Sequence, residues 1–134
     1  MRRQDRREIS GRVVSGRGEG SRFTELEWFR GQLGFIPYPG TLNLEVRGRG
    51  WEALRRTLAR EKGIPIVPPE GFCAAKCFRV VVNDTLEGAA VFPEVPNYPP
   101  DKLEIVAPHP VRERLGLRDG DRVRVRVLAD ESSA

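Results

Sequence analysis

Gly34-Phe-Ile-Pro-Tyr-Pro-Gly-Thr-Leu-Asn-Leu44 is the stretch from which the rest of this chain is read. Through Gly40 it holds two prolines, two glycines and two aromatics, the composition of a stiff, exposed, tightly turned loop. From Thr41 it reads as a strand. Thr41 and Asn43 lie two apart and share one face of an extended chain, while Leu42 and Leu44 point to the other, towards a core. A hydroxyl and a carboxamide oxygen thus sit side by side on a strand aimed by a rigid turn. Two neutral hard oxygens suit Mg²⁺ that takes its remaining ligands from phosphate and water. The plainer alternative is that Thr41 simply favours a strand and Asn43 sits in a wet bend. Asn is disfavoured inside strands, so its place between two leucines asks for a reason.

Working outward, the bulk properties fit one domain over residues 1–134, with residues 1–8 and 129–134 as flexible ends. Hydrophobic residues make up 39% and charged residues 31%, a balance that excludes a disordered chain. No apolar run is long enough to span a membrane, and the basic start has no apolar stretch of the secretory kind behind it. A cytoplasmic protein is expected. The net charge of +4 favours an anionic partner, either a nucleotide or a nucleic acid. Cys73, Cys77 and His109 are the only cysteines and histidine, too few for a structural zinc site. On one strand the two cysteines would be roughly 13 Å apart, too far for a disulfide, so they read as buried thiols.

N-terminal to the central stretch, Ile9 to Ser15 reads as a strand that runs into Gly16-Arg-Gly-Glu-Gly20. Alternating glycines let the backbone approach a ligand and turn its amides inward, as a phosphate cradle requires. No Gly-Lys-Ser/Thr follows, so it is not a Walker motif, and a plain glycine hairpin is the alternative. Phe23 to Leu33 reads as a short helical patch.

On the C-terminal side, Gly48 and Gly50 are expected to end the strand. Trp51 to Lys62 forms a helix with Trp51, Leu54 and Leu58 as its apolar stripe and Gly63 as its cap. Ile64 to Pro69 reads as an extended crossover. Lys76 to Val82 and Thr85 to Phe92 are strands joined by an Asn83-Asp84 turn. A stiff proline-rich loop from Pro93 to Asp101, with Asn97 and Tyr98, precedes a strand at Leu103 to Ala107. Pro110 and Gly116 bracket a helix of one to two turns. Arg122 to Val127 alternates arginines out and valines in. Short strands with one dominant helix predict a small, mostly antiparallel β-barrel with helical decoration.

Among groups able to do chemistry, Glu104 projects opposite Leu103 and Ile105, placed to face a pocket and act as a general base; an exposed polar sheet position is the alternative. Arg112, in the first turn of its short helix, suits a phosphate, or is simply a surface arginine. His109, alone between two prolines, reads as a pocket wall. Together the set is a phosphoryl-transfer kit.

Here a resemblance becomes specific. Gly16–Gly20, Gly34–Asn43, Leu103-Glu-Ile-Val-Ala-Pro108 and Arg112-Glu-Arg-Leu-Gly-Leu-Arg-Asp-Gly-Asp121 resemble, in the same order, the CTP-dependent riboflavin kinases of archaea. The match runs from about Gly11 to Val127. It implies a mostly β fold, a small six-stranded cradle-loop β-barrel with a few short helices. It also implies transfer of the γ-phosphoryl of CTP to the terminal ribityl hydroxyl of riboflavin, giving FMN and CDP. By position, Gly16, Arg17, Gly18, Glu19, Gly20 and Ser21 would line the nucleotide, joined by His109, Pro110, Val111 and Arg112. Thr41 and Asn43 would bind Mg²⁺. Glu104 would contact the flavin and orient or deprotonate the attacking hydroxyl. Pro96 stands where a flavin-contacting threonine aligns, which removes a hydroxyl and an amide hydrogen, and neighbouring Asn97 is the substitute. The segment from Leu26 to Gly34 is about one helical turn shorter than in the archaeal enzymes. Preference for cytidine follows from the resemblance alone.

The resemblance further implies riboflavin or FMN and CTP or CDP as partners. Independently of it, no membrane or nucleic-acid partner is expected, and a monomer is the working expectation. The rival readings are a flavin or nucleotide sensor without catalysis, and a DNA-binding barrel that uses the Arg122, Arg124 and Arg126 stripe.

Overall fold

Alternating burial builds the strands. In the computed structural model, which describes residues 7–15, 32–66 and 74–128, the chain order begins β1 (Glu8–Val14), β2 (Leu42–Glu45), α1 (Arg49–Arg60) and β3 (Ile64–Ile66). It continues β4 (Ala75–Val82), β5 (Leu86–Pro93), β6 (Lys102–Val106), α2 (Val111–Leu115) and β7 (Arg122–Val127). The glycine stretch Gly16–Ser21, the helical patch before Gln32, Cys73, and residues 1–6 and 129–134 of the expected flexible ends lie outside the described residues. Arg7 and Glu8, also expected to be flexible, are instead fixed: Glu8 begins β1, and Arg7 pairs with Glu61 at 2.8 Å and donates to the Val127 carbonyl at 2.9 Å.

The strands pair in the order β4-β5-β6-β2-β1-β7, all antiparallel, and β7 returns to β4 to close a six-stranded barrel. Closure removes the open edges that would otherwise invite pairing with other chains. Along one edge of β4, Val80–Val82 pair with β7 while Ala75–Cys77 pair with β3. The expected crossover at Ile64–Pro69 is therefore partly a strand. Pro65, which lacks an N–H, is exposed on it, in keeping with an edge position.

Two apolar clusters hold the sheet. Leu42, Leu44, Leu103, Ile105, Val123, Val125 and Val127 fill the barrel, and Trp51, Leu54 and Leu58 of α1 pack into the same cluster. The second cluster, Leu33, Ile66, Ala75, Cys77, Ala89, Val91 and Val106, covers the outer wall over β4, β5 and β6. Gly88 to Val91 are buried on both faces for this reason. Burial pushes the Cys77 thiol up to about 12, so it stays protonated, as the buried-thiol reading expects.

Local chemistry sets the joints. Asn83 and Asp84, with φ of 49° and 56°, make the left-handed turn in the three-residue connection from Val82 to Leu86, where the Thr85 amide donates to the Val82 carbonyl at 3.0 Å. Asn83 Oδ1 also accepts from the Arg124 amide at 2.8 Å, tying this hairpin to β7. Helix α1 departs from expectation at both ends. It starts at Arg49, so Gly50 lies inside its first turn rather than ending β2, and it stops at Arg60. The Lys76 ammonium caps it, donating to the carbonyls of Leu58, Ala59 and Glu61 at 3.0, 3.2 and 2.7 Å. Gly63, the expected cap, follows with φ of 63°. Pro110 and Gly116 do bracket α2, with Gly116 left-handed at φ 64°.

Gly88 is needed for contact. A Cβ there would meet the Val106 carbonyl at 2.6 Å. Gly88→Ala is expected to destabilise the barrel by about 1–3 kcal/mol in chemical denaturation, and an unchanged midpoint would contradict this packing.

Candidate functional site

The loop expected to be stiff enters β2 through two left-handed glycines, Gly34 at φ 83° and Gly40 at φ 96°. The Tyr38 amide donates to the Ala107 carbonyl at 2.7 Å, which pins the loop to the end of β6. Thr41 and Asn43 then share one face, as their spacing predicts. Thr41 Oγ1 lies 3.4 Å from Asn43 Oδ1, and Asn43 Nδ2 donates to the Thr41 carbonyl at 3.1 Å. The amide nitrogen is thus spent on the backbone, and the carboxamide oxygen is turned to the hydroxyl.

Register supplies what spacing does not. Asn43 is paired with Glu104 on β6 and with Val14 on β1. Asn43 and Glu104 are 9% and 5% exposed, and among the described residues they are the buried polar side chains. Glu104 was expected to face a pocket. It is 5% exposed in the barrel wall, with Val91 of β5 on its other side. Its carboxylate is met by the Tyr98 hydroxyl, which donates to Oε2 at 2.5 Å, and by the Lys102 ammonium 3.8 Å from Oε1. A buried carboxylate needs such donors.

A cleft of about 170 Å³ joins the second group of residues. Tyr38 to Leu42 and His109 to Glu113 line it together with Ile105 and Ala107, so Thr41 shares one opening with His109, Pro110, Val111 and Arg112. Arg112 Nη1 pairs with Asp119 Oδ1 at 2.9 Å, and Ser15 Oγ donates to Asp119 Oδ2 at 2.6 Å. The turn bearing Asp119 is itself bonded to β1 through Val13 and Gly120. The residue just before Gly16 is therefore tethered to the helix that carries Arg112. The Ser15 hydrogen bond, seconded by the Arg112 charge, holds the Asp119 carboxyl below its ordinary range.

The structure does not bring everything together. Asn97, left-handed at φ 65°, lines a separate groove of about 400 Å³ between α1 and the barrel, with Phe78, Phe92 and Tyr98. Pro96 is exposed and lines neither opening. A groove of about 710 Å³ beside Trp51, Arg55 and Arg56 holds none of the residues expected to bind or react. Tyr98 was missed: loop residues carry no periodicity to place them. Acids meet two members of the arginine stripe. Asp84 lies 2.7 Å from Arg124 and 3.6 Å from Arg126, which weakens a DNA-binding reading.

Neighbouring corners of a Mg²⁺ octahedron, with ligands at about 2.1 Å, are about 3 Å apart, so the Thr41 and Asn43 oxygens suit two such corners. Among the described residues no group of three or more His, Cys, Asp or Glu stands ready to cage a metal. Nor is any described helix long and apolar enough to cross a membrane.

Comparison with known proteins adds identity to geometry. Residues 13–127 match the model of the family CTP-dep_RFKase, described as Domain of unknown function DUF120. A protein of Pyrobaculum islandicum named Riboflavin kinase is 44% identical over 133 residues, covering 91% of this chain and 61% of its own. Riboflavin kinase of Archaeoglobus fulgidus is 43% identical over 131 residues, covering 90% and 54%. That of Methanosarcina barkeri is 38% identical over 131 residues, covering 90% and 56%. The chain thus spans between half and two thirds of the length of these relatives.

The Asp119 link gives a pH test. A carboxyl whose folded pKa is depressed adds stability at neutral pH that is lost as pH falls through that folded value. Asp119→Asn is therefore expected to melt lower than the unaltered protein at pH 7. The gap should close as pH drops below about 4, the ordinary carboxyl range. A gap that stays constant to acid pH would contradict the link.

Proposed function

This chain belongs to the CTP-dep_RFKase family, and from that premise we propose that it is a riboflavin kinase domain. It transfers the γ-phosphoryl of CTP to the ribityl 5′-hydroxyl of riboflavin, giving FMN and CDP. The observation that carries the reading is the pairing of Asn43 with Glu104, beside a cleft that Thr41 and Arg112 both line. A general base, two hard oxygens and a phosphate-binding cation are then drawn from neighbouring elements.

In this mechanism Glu104 takes the proton of the 5′-hydroxyl. The hydroxyl oxygen attacks the γ-phosphorus as the bond to the β–γ bridging oxygen breaks, and CDP leaves with that oxygen. Arg112 exchanges its exposed Asp119 partner for phosphate oxygens, and Gly16 to Ser21 with His109, Pro110 and Val111 hold the nucleotide. Asn97 would meet the flavin from the groove it shares with Tyr98, whose hydroxyl reaches Glu104, while Pro96 lines neither opening and would act only by shaping the loop. Thr41 and Asn43 would hold Mg²⁺, which when bound supplies neutralisation of phosphate charge and alignment of the transferring group. Positioning and charge neutralisation supply most of the acceleration. A cytoplasmic monomer acting on soluble substrates is part of the same proposal.

The test is to incubate the protein with riboflavin, Mg²⁺ and each nucleoside triphosphate in turn, and to separate FMN by chromatography. CTP is expected to give FMN. Tight binding of riboflavin or CTP with no product from any donor would replace the kinase with a sensor. In the same assay Asn43→Ala is expected to lose on the order of a hundredfold or more in turnover while it melts near the unaltered protein. Full activity in that variant would remove Asn43 from the site.

A further inference from the structure

Glu104 is held in place by a loop. Its own strand neighbours, Leu103 and Ile105, point into the barrel, and the side chain of Val91 beside it has no hydrogen-bond donor. The Tyr98 hydroxyl donates at 2.5 Å, and it occupies Oε2. The Lys102 ammonium stands 5.6 Å above the Tyr98 ring and 3.8 Å from the other oxygen, Oε1, beyond direct hydrogen-bond reach. One cation therefore steadies both the ring and the carboxylate.

The loop that carries Tyr98 is itself fixed at several points. The Glu94 amide donates to the Ala74 carbonyl at 2.8 Å, and Trp51 Nε1 donates to the Pro100 carbonyl at 2.7 Å. Pro96, Pro99 and Pro100 stiffen what lies between, and Asn97 makes the turn at φ 65°. A tyrosine has few rotors to freeze, so a hydroxyl delivered this way is well aimed.

We propose that Tyr98 is a positioning residue: it holds Oε2 of Glu104 and so presents Oε1 as the atom that takes the proton of the acceptor hydroxyl. This rests on the kinase reading, and it adds a specific contribution from the 93–101 loop. The phenol keeps its own proton throughout, and the transferred proton ends on Oε1.

The test compares Tyr98→Phe with the unaltered protein in the FMN assay. The ring and its packing remain and only the hydroxyl is lost. Turnover is expected to fall about tenfold to a hundredfold. KM for riboflavin and CTP should stay within about twofold and the melting midpoint within a few degrees, a split that a merely structural role would not give. On a Glu104→Gln background the same change should cost little more, because the two side chains act as a unit. Lys102→Met, which keeps both partners and removes the cation, should lower turnover by a smaller factor, and it serves should Tyr98→Phe fold poorly. Undiminished turnover in Tyr98→Phe, beside an active unaltered protein, overturns this inference alone. So does a loss that simply multiplies that of Glu104→Gln. No FMN from the unaltered protein with any donor overturns the kinase reading, and this inference with it.

Discussion

The antiparallel register of β2 on β6 is the constraint from which the site follows. Leu42 faces Ile105, Asn43 faces Glu104 and Leu44 faces Leu103. Because side chains alternate along a strand, a slip of one residue would turn all of these to the other face. Asn43 and Glu104 would then enter a barrel interior where Leu42, Leu44, Leu103 and Ile105 are now at most 4% exposed. Four apolar side chains thus fix where two polar ones stand. Burial of an amide and a carboxylate is costly, and here the cost is offset by specific donors and acceptors: Thr41 for Asn43, and Tyr98 with Lys102 for Glu104.

Closure of the barrel sets the rest. β1 lies on the far side of β2 from β6, and its last residue, Val14, is opposite Asn43. The turn at Asp119 returns to bond β1, and through Ser15 and Arg112 it links the end of β1 to α2. Segments far apart in sequence meet around one cleft because strand pairing leaves them at the same end of the barrel.

Much of this was legible in the sequence, and the reason is local. The Asn83-Asp84 turn, the alternation of β7 and the Pro110–Gly116 bracket each depend on backbone preferences of a few residues. The shared face of Thr41 and Asn43 needed only a period of two. What was not legible depends on contacts between distant segments. Glu104 looked like a residue open to a pocket, because its neighbours point the other way. Its burial comes from Val91, Tyr98 and the second cluster, which cover the outer wall. Ile64–Ile66 hid a strand, since Pro65 obscures a pairing that only β4 supplies. The early start of α1 was obscured by Gly50, a poor helix former tolerated in a first turn. Asn97, taken as a substitute flavin contact, opens on a groove apart from the Thr41 cleft.

The account is tested most directly by locating the divalent ion. Crystals grown with CDP, riboflavin and Mn²⁺ in place of Mg²⁺ would reveal the metal by its anomalous scattering. The prediction is one ion within about 2.3 Å of both Thr41 Oγ1 and Asn43 Oδ1, completed by phosphate and water oxygens, with the riboflavin 5′-hydroxyl near Glu104. An ion bound elsewhere, with Thr41 and Asn43 still bonded only to each other, would contradict it.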